Sequence, residues 1–361
     1  MTTLRILIAG GGLAGLATKL ALASRGVDAD LAERDTTPRD GGTGLYLPAN
    51  AVRALRDLGL GDELDRRSAP VRRQEIRDRT GALLTGFDLS EIWSEVGESR
   101  AIRRSDLHAL LGAAAGSSGV RLGAAVTEAR ADGTVEFSDG SEDRYDVVIG
   151  ADGIDSAVRR AIFPRTGRKF LDQICWRFLA PTGDASETWV ARLGNRGRTF
   201  LTVPVGDGQV YCFAAINSAS PAAPAGDWRE LFADFNVADL LEHAADAYFA
   251  PLHEIEGADW VSGRVVLIGD AAHACSPSMA QGGAMALEDA LVLADELADG
   301  PVPEALDRYR ARRSERVAFV LEQNHRRDKA RNLPGFVRKA VFRKAGVKII
   351  KGNHAGLLTR P

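Results

Sequence analysis

Residues 4–33, LRILIAGGGLAGLATKLALASRGVDADLAE, constrain the fold more than any other stretch of the chain. The apolar run Leu4, Ile6, Leu7, Ile8 has the pattern of a strand buried in a parallel sheet. It enters the glycine turn Gly10-Gly11-Gly12-Leu13-Ala14-Gly15, followed by an alanine- and leucine-rich helical pattern to about Ser24. Gly26 closes the helix, and VDADLAE predicts a second strand ending on Glu33. Strand, turn, helix, strand and acid in this order make a βαβ unit with G-x-G-x-x-G, the pattern of a dinucleotide site. Gly10 turns the chain off the strand, Gly12 lets the backbone approach a pyrophosphate, and Gly15 lets the helix lie close to the sheet. The N–H groups at the helix start, around Leu13 and Ala14, would face the phosphates, and Glu33 would accept from a ribose diol. The plainer alternative is a glycine-rich turn in an ordinary α/β domain. The stretch leaves open whether the dinucleotide is FAD or NAD(P).

Two later stretches repeat the theme of a strand ending in small residues. In DVVIGADGIDSAVRRAIF (146–163) the run Val147–Ile149 ends at Gly150, and Ala151-Asp152-Gly153 precedes Ser156 and Arg159 on a helix. Small residues at the carboxyl end of a strand permit close approach to a ligand. In GRVVLIGDAAHACSPSMAQGGAMALEDALVLADELA (263–298) a strand over Val265–Ile268 ends at Gly269-Asp270, with slim Ala271 and Ala272 next. After His273 and Pro277, Gln281-Gly282-Gly283 opens a long helix through Ala284 to about Glu296. Asp270 either holds a sugar-like hydroxyl or caps a turn. N–H groups at the start of the second helix suit an electron-rich carbonyl or ring edge.

The intervening segments have a different character. VRRQEIRDRTGALLTGFDL alternates around Thr80-Gly81, as a β-hairpin does. RRSDLHALLGAAA (103–115) is helical, with Ser105 as the expected N-cap. Residues 165–260 are β-rich, with turns at Gly194, Gly206 and Gly208 and a helical piece near DWRELFADF. Trp176, Phe178, Phe200, Tyr211 and Phe213 fall here, and aromatics on a sheet belong to the core more often than to a site. His243 and His253 have the setting of surface residues. The predicted organisation is a dinucleotide domain from 1–70, 101–164 and 259–300, a β-sheet substrate domain from 71–100 and 165–258, and a basic helical segment over 301–361.

Composition removes other classes. A chain of 361 residues exceeds one small core, and a net charge of −3 gives no general attraction to nucleic acid. Cys175, Cys212 and Cys275 are scattered without metal or disulfide spacing, which fits a reducing cytoplasmic setting. The N-terminus enters the first strand without a leader pattern, and no apolar run has the length of a membrane span. From His325 to Pro361 there are eleven Lys and Arg against one acid, Asp328. Such a segment is either a helix lying across an acidic domain or a face for peripheral contact with an anionic membrane.

Taken together, GGGLAG with Glu33-Arg34, GADGIDSAVRR and GRVVLIGDAAHACSPSMAQGGAMALEDA resemble, in order, the three signatures of the FAD-dependent single-component monooxygenases. These are the para-hydroxybenzoate hydroxylase-like, group A flavoprotein hydroxylases. RSDLHALL resembles the segment whose arginine, here Arg104, contacts FAD, and Arg39 with the following GGTGLYLP resembles the loop whose arginine approaches the flavin. The resemblance runs from residue 1 to about 320. It implies an α/β fold: a Rossmann-like, glutathione-reductase-type FAD domain interleaved with a smaller β-sheet substrate domain. It also implies that Glu33 binds the adenosine ribose and Asp270 the ribityl chain. Asp152 and Gly153 would border the cofactor, and the backbone from Gln281 to Ala284 would face the flavin pyrimidine edge. Ala280 stands where the family usually has glycine, with Gly283 placed to compensate. Met285 occupies a commonly polar position, and Asp155 is unusual within its motif.

The same resemblance implies the reaction. NAD(P)H, a transient co-substrate without a domain of its own, reduces FAD. The reduced flavin forms a C4a-hydroperoxide with O2, and one oxygen atom passes to a small, aromatic or phenolic substrate. No metal is required. Tyr46, Tyr211, His253 and His273 are the candidates for a base. Alternatives with the same fold are an epoxidase, a Baeyer–Villiger enzyme, an N-hydroxylase, a prenyl reductase or a flavin-binding sensor. The tryptophans lack the W-x-W-x-I-P setting of a flavin halogenase.

Overall fold

The computed structural model describes residues 4–37, 43–183, 186–257 and 259–361. Arg39 lies outside the described residues. The helices that matter for the site are α1 (Leu13–Ala23), α2 (Ala49–Asp57), α3 (Arg104–Ala115), α4 (Ala157–Ile162), α5 (Asp270–His273), α6 (Gly282–Ala298), α7 (Val302–Arg331) and α8 (Gly335–His354). α3 begins at Arg104 with Arg103 as its N-cap residue, so the expected cap at Ser105 moves two residues towards the N-terminus.

A six-stranded sheet runs Val261–Ser262, Val265–Leu267, Val147–Gly150, Ile6–Ala9, Asp30–Glu33, Val120–Leu122. Its strands are parallel except the two-residue edge strand. The register sets Ala9 beside Gly150 and Ala32, and Gly150 beside Leu267. All three small-residue motifs therefore leave the sheet at one carboxyl edge, where ligands bind in open α/β sheets. Ile6, Ile8, Val147, Ile149 and Val266 are buried on one face among α1 and α6, while Leu7, Val148, Val265 and Leu267 serve a second core on the other.

A seven-stranded sheet runs Tyr248–Glu256, Gly167–Pro181, Gln209–Asn217, Thr199–Gly206, Thr188–Leu193, Arg73–Asp78, Leu83–Asp88. Its sides follow the two-residue period of a strand. Ile174, Trp176, Phe178, Phe200, Cys212 and Ala214 face outward under a cap formed by residues 228–247. There Trp228 stacks on Trp176 at 4.7 Å and 6°, and Phe232 meets Phe200 edge-on. Tyr211 and Val203 face the other way, towards strand Gly44–Leu47. A Cβ on Gly44 would stand 2.5 Å from the Tyr211 Cβ, so glycine is what allows these layers to touch.

The basic segment folds onto the body. Lys339 pairs with Asp78 at 2.7 Å, Lys351 reaches Glu91 at 3.6 Å, Arg360 holds Asp57, and Arg338 is buried against backbone carbonyls. Gly346 brings α8 against Thr85, where a Cβ would come within 2.9 Å of the side chain. Arg343, Lys344 and Lys348 remain exposed, and Phe336 near the start of α8 is 77% exposed. Among the described residues no helix is long and apolar enough to cross a membrane.

His354 closes α8 edge-on to the buried Trp93, its Nδ1 2.7 Å from the Ile350 carbonyl. Burial pushes its imidazole down to about 4. The unfolded chain has an ordinary histidine near pH 6.5 and takes up the proton first, so this stability is complete above that pH and is lost as the pH falls towards 4. Urea unfolding across that window should show a loss on the order of 3 kcal/mol that His354→Phe removes. Parallel pH curves for the two proteins would contradict the assignment.

Candidate active site

The glycine turn is shaped by contacts on two sides. A Cβ on Gly10, which has φ of 110°, would stand 2.5 Å from the Ala151 carbonyl oxygen, so the first and second motifs touch there. A Cβ on Gly15 would stand 1.9 Å from the Gly10 oxygen, so α1 starts directly over the turn. A Cβ on Gly12 would meet nothing within 4 Å, so the backbone before Leu13 and Ala14 faces open space. No side chain caps α1, which leaves its first-turn N–H groups available to an anion. Glu33 accepts from the Gly11 N–H at 2.6 Å and the Asp35 N–H at 2.9 Å, which holds its carboxylate at this edge. Arg34 is exposed beside it. His108, one turn after Arg104 on α3, lies with Nε2 2.9 Å from the Gly11 carbonyl oxygen. That places α3's Arg104 face towards the turn, because residues four apart share a helix face.

In the second motif, Asp152 accepts from the Ala157 and Val158 N–H groups at 2.7 and 3.2 Å, while Ser156 accepts from Arg159. Burial pushes the Asp152 carboxyl up, and its Oδ1 is buried with no partner. Gly153 adopts φ of 77°. Arg159 donates to the Ala271 carbonyl at 2.8 Å, which ties the second motif to the third.

The third motif provides another pole. Gly269, at φ of 56°, is wedged between α1 and α6: its Cβ would lie 3.0 Å from that of Ala14 and 3.2 Å from that of Ala286. Asp270 is exposed, and its carboxylate forms no hydrogen bond or ion pair among the described residues, so it does not act as a cap. It faces the start of α6, with Oδ1 3.9 Å from the Cβ position on Gly282. That helix has no side-chain cap and no acid in its first turn. The loop before it starts at exposed Pro277 and ends at Ala280, which adopts the left-handed conformation with φ of 52° and ψ of 34°. Alanine thus takes up a glycine's geometry, at a cost on the order of 1–2 kcal/mol. The expected compensation by Gly283 does not occur, since Gly283 lies in regular helix.

A buried ion cluster fixes this pole. Asp289 accepts from the Gly269 N–H at 2.8 Å, meets His273 Nε2 at 2.7 Å, and pairs with Arg313 at 2.7 Å. Glu288 takes Arg313 at 3.0 Å and Arg316 at 2.6 Å, and accepts from Asn50 at 3.0 Å. Asn50 and Gln281 exchange amide hydrogen bonds at 2.9 and 3.2 Å, so the Gln281 side chain is occupied while its backbone starts α6. Against the opposing effect of burial, Arg313 and Arg316 hold the Glu288 carboxyl below the usual range, and His273 and Arg313 do the same for Asp289. His273 is thereby corrected: it is 3% exposed, held in this cluster and packed on Trp260, a structural residue and not a base.

The other base candidates separate. His253 lies on the edge strand against Phe170 and Arg168, with its imidazole pushed down by burial and by that arginine. Tyr46 lies on the strand Gly44–Leu47, against which Tyr211 packs from the inner sheet face. Burial pushes both phenols up to about 12, so at neutral pH they are protonated donors, not bases.

Comparison with known proteins follows the same outline. The family model described as FAD binding domain matches residues 3–324. The 2-heptyl-3-hydroxy-4(1H)-quinolone synthase of Pseudomonas aeruginosa is 32% identical over 335 residues, spanning 88% of this chain and 87% of the relative. The 3-amino-4-hydroxybenzoate 2-monooxygenase PtnB3 of Streptomyces platensis is 34% identical, spanning 91% of this chain and 89% of its own. The crystal structure of Klebsiella pneumoniae HpxO complexed with FAD and uric acid superposes with a TM-score of 0.89 at 29% identity, covering 99% of this chain and 97% of that one.

Removing one member of a buried ion cluster strands the others without compensation. Arg313→Met should destabilise the protein by about 3–5 kcal/mol in urea unfolding. It should also loosen the third motif, read as faster proteolysis between Gly269 and Gly282. A loss below about 1 kcal/mol would mean that the cluster does not hold the site.

Proposed function

The chain belongs to the FAD binding domain family of flavoprotein monooxygenases, and from that membership we propose that it takes electrons from NAD(P)H and inserts one oxygen atom from O2 into a small aromatic substrate. One observation carries the reading. Two helix N-termini without side-chain caps, those of α1 and α6, flank the exposed Asp270 along one sheet edge. A dinucleotide confined to the first glycine turn has no use for the second pole. An extended FAD uses both.

When bound, FAD supplies the electron relay and the activation of O2. The chain's residues bind and orient. The N–H groups at Leu13 and Ala14 suit the pyrophosphate, Glu33 the adenosine ribose, and Asp270 the ribityl hydroxyls. Arg34, Arg104, Gly153 and the buried Oδ1 of Asp152 border the same edge. Arg39 joins them on sequence grounds alone. The N–H groups at Gly282, Gly283 and Ala284 point along a helix dipole that stabilises negative charge where it develops on the ring. The inner sheet face, with Tyr211 and Phe213, excludes water from the reacting centre. On this reading the neutral phenols of Tyr46 and Tyr211 would serve as donors to a substrate oxygen. A cytoplasmic setting follows from the use of NAD(P)H.

The exposed cations Arg343, Lys344 and Lys348 beside Phe336 are the face a peripheral contact with anionic lipid would use, and co-sedimentation with phosphatidylglycerol vesicles checks it: unchanged binding after charge reversal at the three positions would remove that role.

The purified protein should be yellow. Glu33→Ala and Asp270→Ala should each weaken FAD binding by about tenfold or more, as loss of a charged hydrogen-bond acceptor does. Substrate-stimulated NAD(P)H oxidation with labelled O2 should place one labelled atom in the product. Colourless protein that does not take up FAD, or a product without label, overturns the reading.

A further inference from the structure

Residues 356–361, which follow α8, are held chiefly by their backbone. Leu357 is fully buried in the core that also holds Val320 of α7 and Ile350 of α8. A Cβ on Gly356 would stand 3.0 Å from the Phe319 ring, so the chain passes directly over α7. Arginines of two helices take the carbonyls. Arg53 of α2 donates to Leu358 and Thr359 at 3.0 and 2.8 Å. Arg316 of α7 donates to Gly356, Leu357 and Thr359 at 3.0, 3.2 and 3.1 Å, and Arg312, one turn earlier, to Pro361 at 2.9 Å. Arg360 adds an ion pair with Asp57, at the end of α2. The segment therefore straps α2 to α7, and it roofs a cavity of about 80 Å³ that reaches Asn50 and Glu288.

Among the described residues the hydrogen bonds of Arg53 go to this strap, and no carboxylate pairs with it. Burial pushes its guanidinium down, and Arg316 and Arg360 add to that effect. A half-buried cation beside two others needs acceptors, and the strap brings them. Asn50 lies one turn before Arg53 on the same face of α2. It exchanges hydrogen bonds with Gln281 and donates to Glu288. Arg316 arrives at the same point from α7, because its Nη2 holds Glu288 at 2.6 Å and Leu357 at 3.2 Å. Two routes thus run from the strap to Asn50, one along α2 and one through Glu288. From Asn50 they continue to the residue at which α6 begins.

We propose that Arg53 and Arg316 are positioning residues for the cofactor: they transmit the docking of residues 356–361 to the start of α6, so that strap and FAD are held cooperatively. The proposal rests on the reading of α6 as the pole that faces the flavin ring. Coupling of this kind is reciprocal, and whatever factor the docked strap adds to FAD affinity, bound FAD adds to strap docking. The strap gives the site a point of control at the surface, where Thr359 and Arg360 are exposed. A ligand or a cleavage that displaces it loosens the cofactor.

Hydrogen exchange of the full chain, read by mass spectrometry with and without FAD, tests the coupling. Loading should slow exchange over residues 356–361 by about fivefold or more, and leave the helix Ala238–Leu241 in the outer cap unchanged. Arg53→Gln should speed exchange of the strap and weaken FAD binding, followed by flavin fluorescence, by about fivefold. Arg53→Lys should recover part of both effects. An arginine that only stabilises the fold would lower the urea midpoint and leave the FAD dissociation constant where it was. Strap exchange that ignores FAD, or an Arg53→Gln protein with a loosened strap and unaltered FAD affinity, overturns the proposal. The wild-type comparison stands even where a variant does not fold. Protein that takes up no FAD fails the functional reading and the proposal with it, whereas yellow protein without the coupling fails the proposal alone.

Discussion

The buried cluster of Glu288, Asp289, Arg313 and Arg316 is the interaction on which the rest of the site depends. Two carboxylates and two guanidiniums lie almost wholly out of water. Withdrawing four charges costs several kcal/mol each, and apolar side chains of similar size would fill the space with less opposition. What the charges add is register. Asp289 accepts from the N–H of Gly269 and so fixes where the strand ends relative to α6. Glu288 acts through Asn50 on Gln281 and so fixes where α6 begins. Arg316 also takes the carbonyls of Gly356, Leu357 and Thr359, which brings the C-terminal segment into the same arrangement. The pole that carries Asp270 is thus located by directional bonds, where apolar packing would leave room to slide.

The seven-stranded sheet divides its labour by parity. On one side of Gly167–Pro181, Trp176 and Phe178 make an aromatic core; on the other, Arg177 and Leu179 share a face with Phe213 and Tyr211. A shift of one residue in register would exchange the two sets, burying the guanidinium under Trp228 and exposing the indole of Trp176. The stacked Trp176–Trp228 pair therefore does more than stabilise the cap. It holds the strand in the register that puts Arg177 and Leu179 on the opposite face, so the hydrophobic side fixes which residues the other side carries.

Much of this was legible in the sequence wherever the relevant partners lie close along the chain. The glycine turn, Glu33, and the strand ends at Gly150 and Gly269 are local patterns with local reasons, and the sheet register then carries them to one edge. What could not be read are contacts set by tertiary packing. Arg313 lies 24 residues from Asp289 on another helix, and nothing in either segment marks the pair. His273 is one of four base candidates in the sequence, and nothing local shows that its partner is a buried acid on α6. His108 could have been suspected from its position four residues after Arg104, but its acceptor is a backbone carbonyl that leaves no trace in composition. Ala280 shows the opposite limit: compensation by Gly283 was the expectation, and instead the surrounding structure holds alanine itself in a conformation that it resists.

The uncapped ends of α1 and α6 bear on how the molecule is held together. Helix starts usually recruit Ser, Thr, Asp or Asn, and a missing cap costs about 1 kcal/mol. Here Gly12 and Gln281 occupy those positions, and neither side chain serves the helix behind it. Other helices here also start without a side-chain cap, but at α1 and α6 the open N–H groups lie where a bound anion and a charged ring edge would supply acceptors. Stability forgone in the free chain is therefore returned on loading, in proportion to the logarithm of the cofactor concentration over its dissociation constant. The ion cluster works in the other direction, since it holds the second pole in place before the ligand arrives. A site with preformed geometry and unfilled donors binds with little reorganisation, and that is the condition under which dipoles directed at a developing charge are most effective.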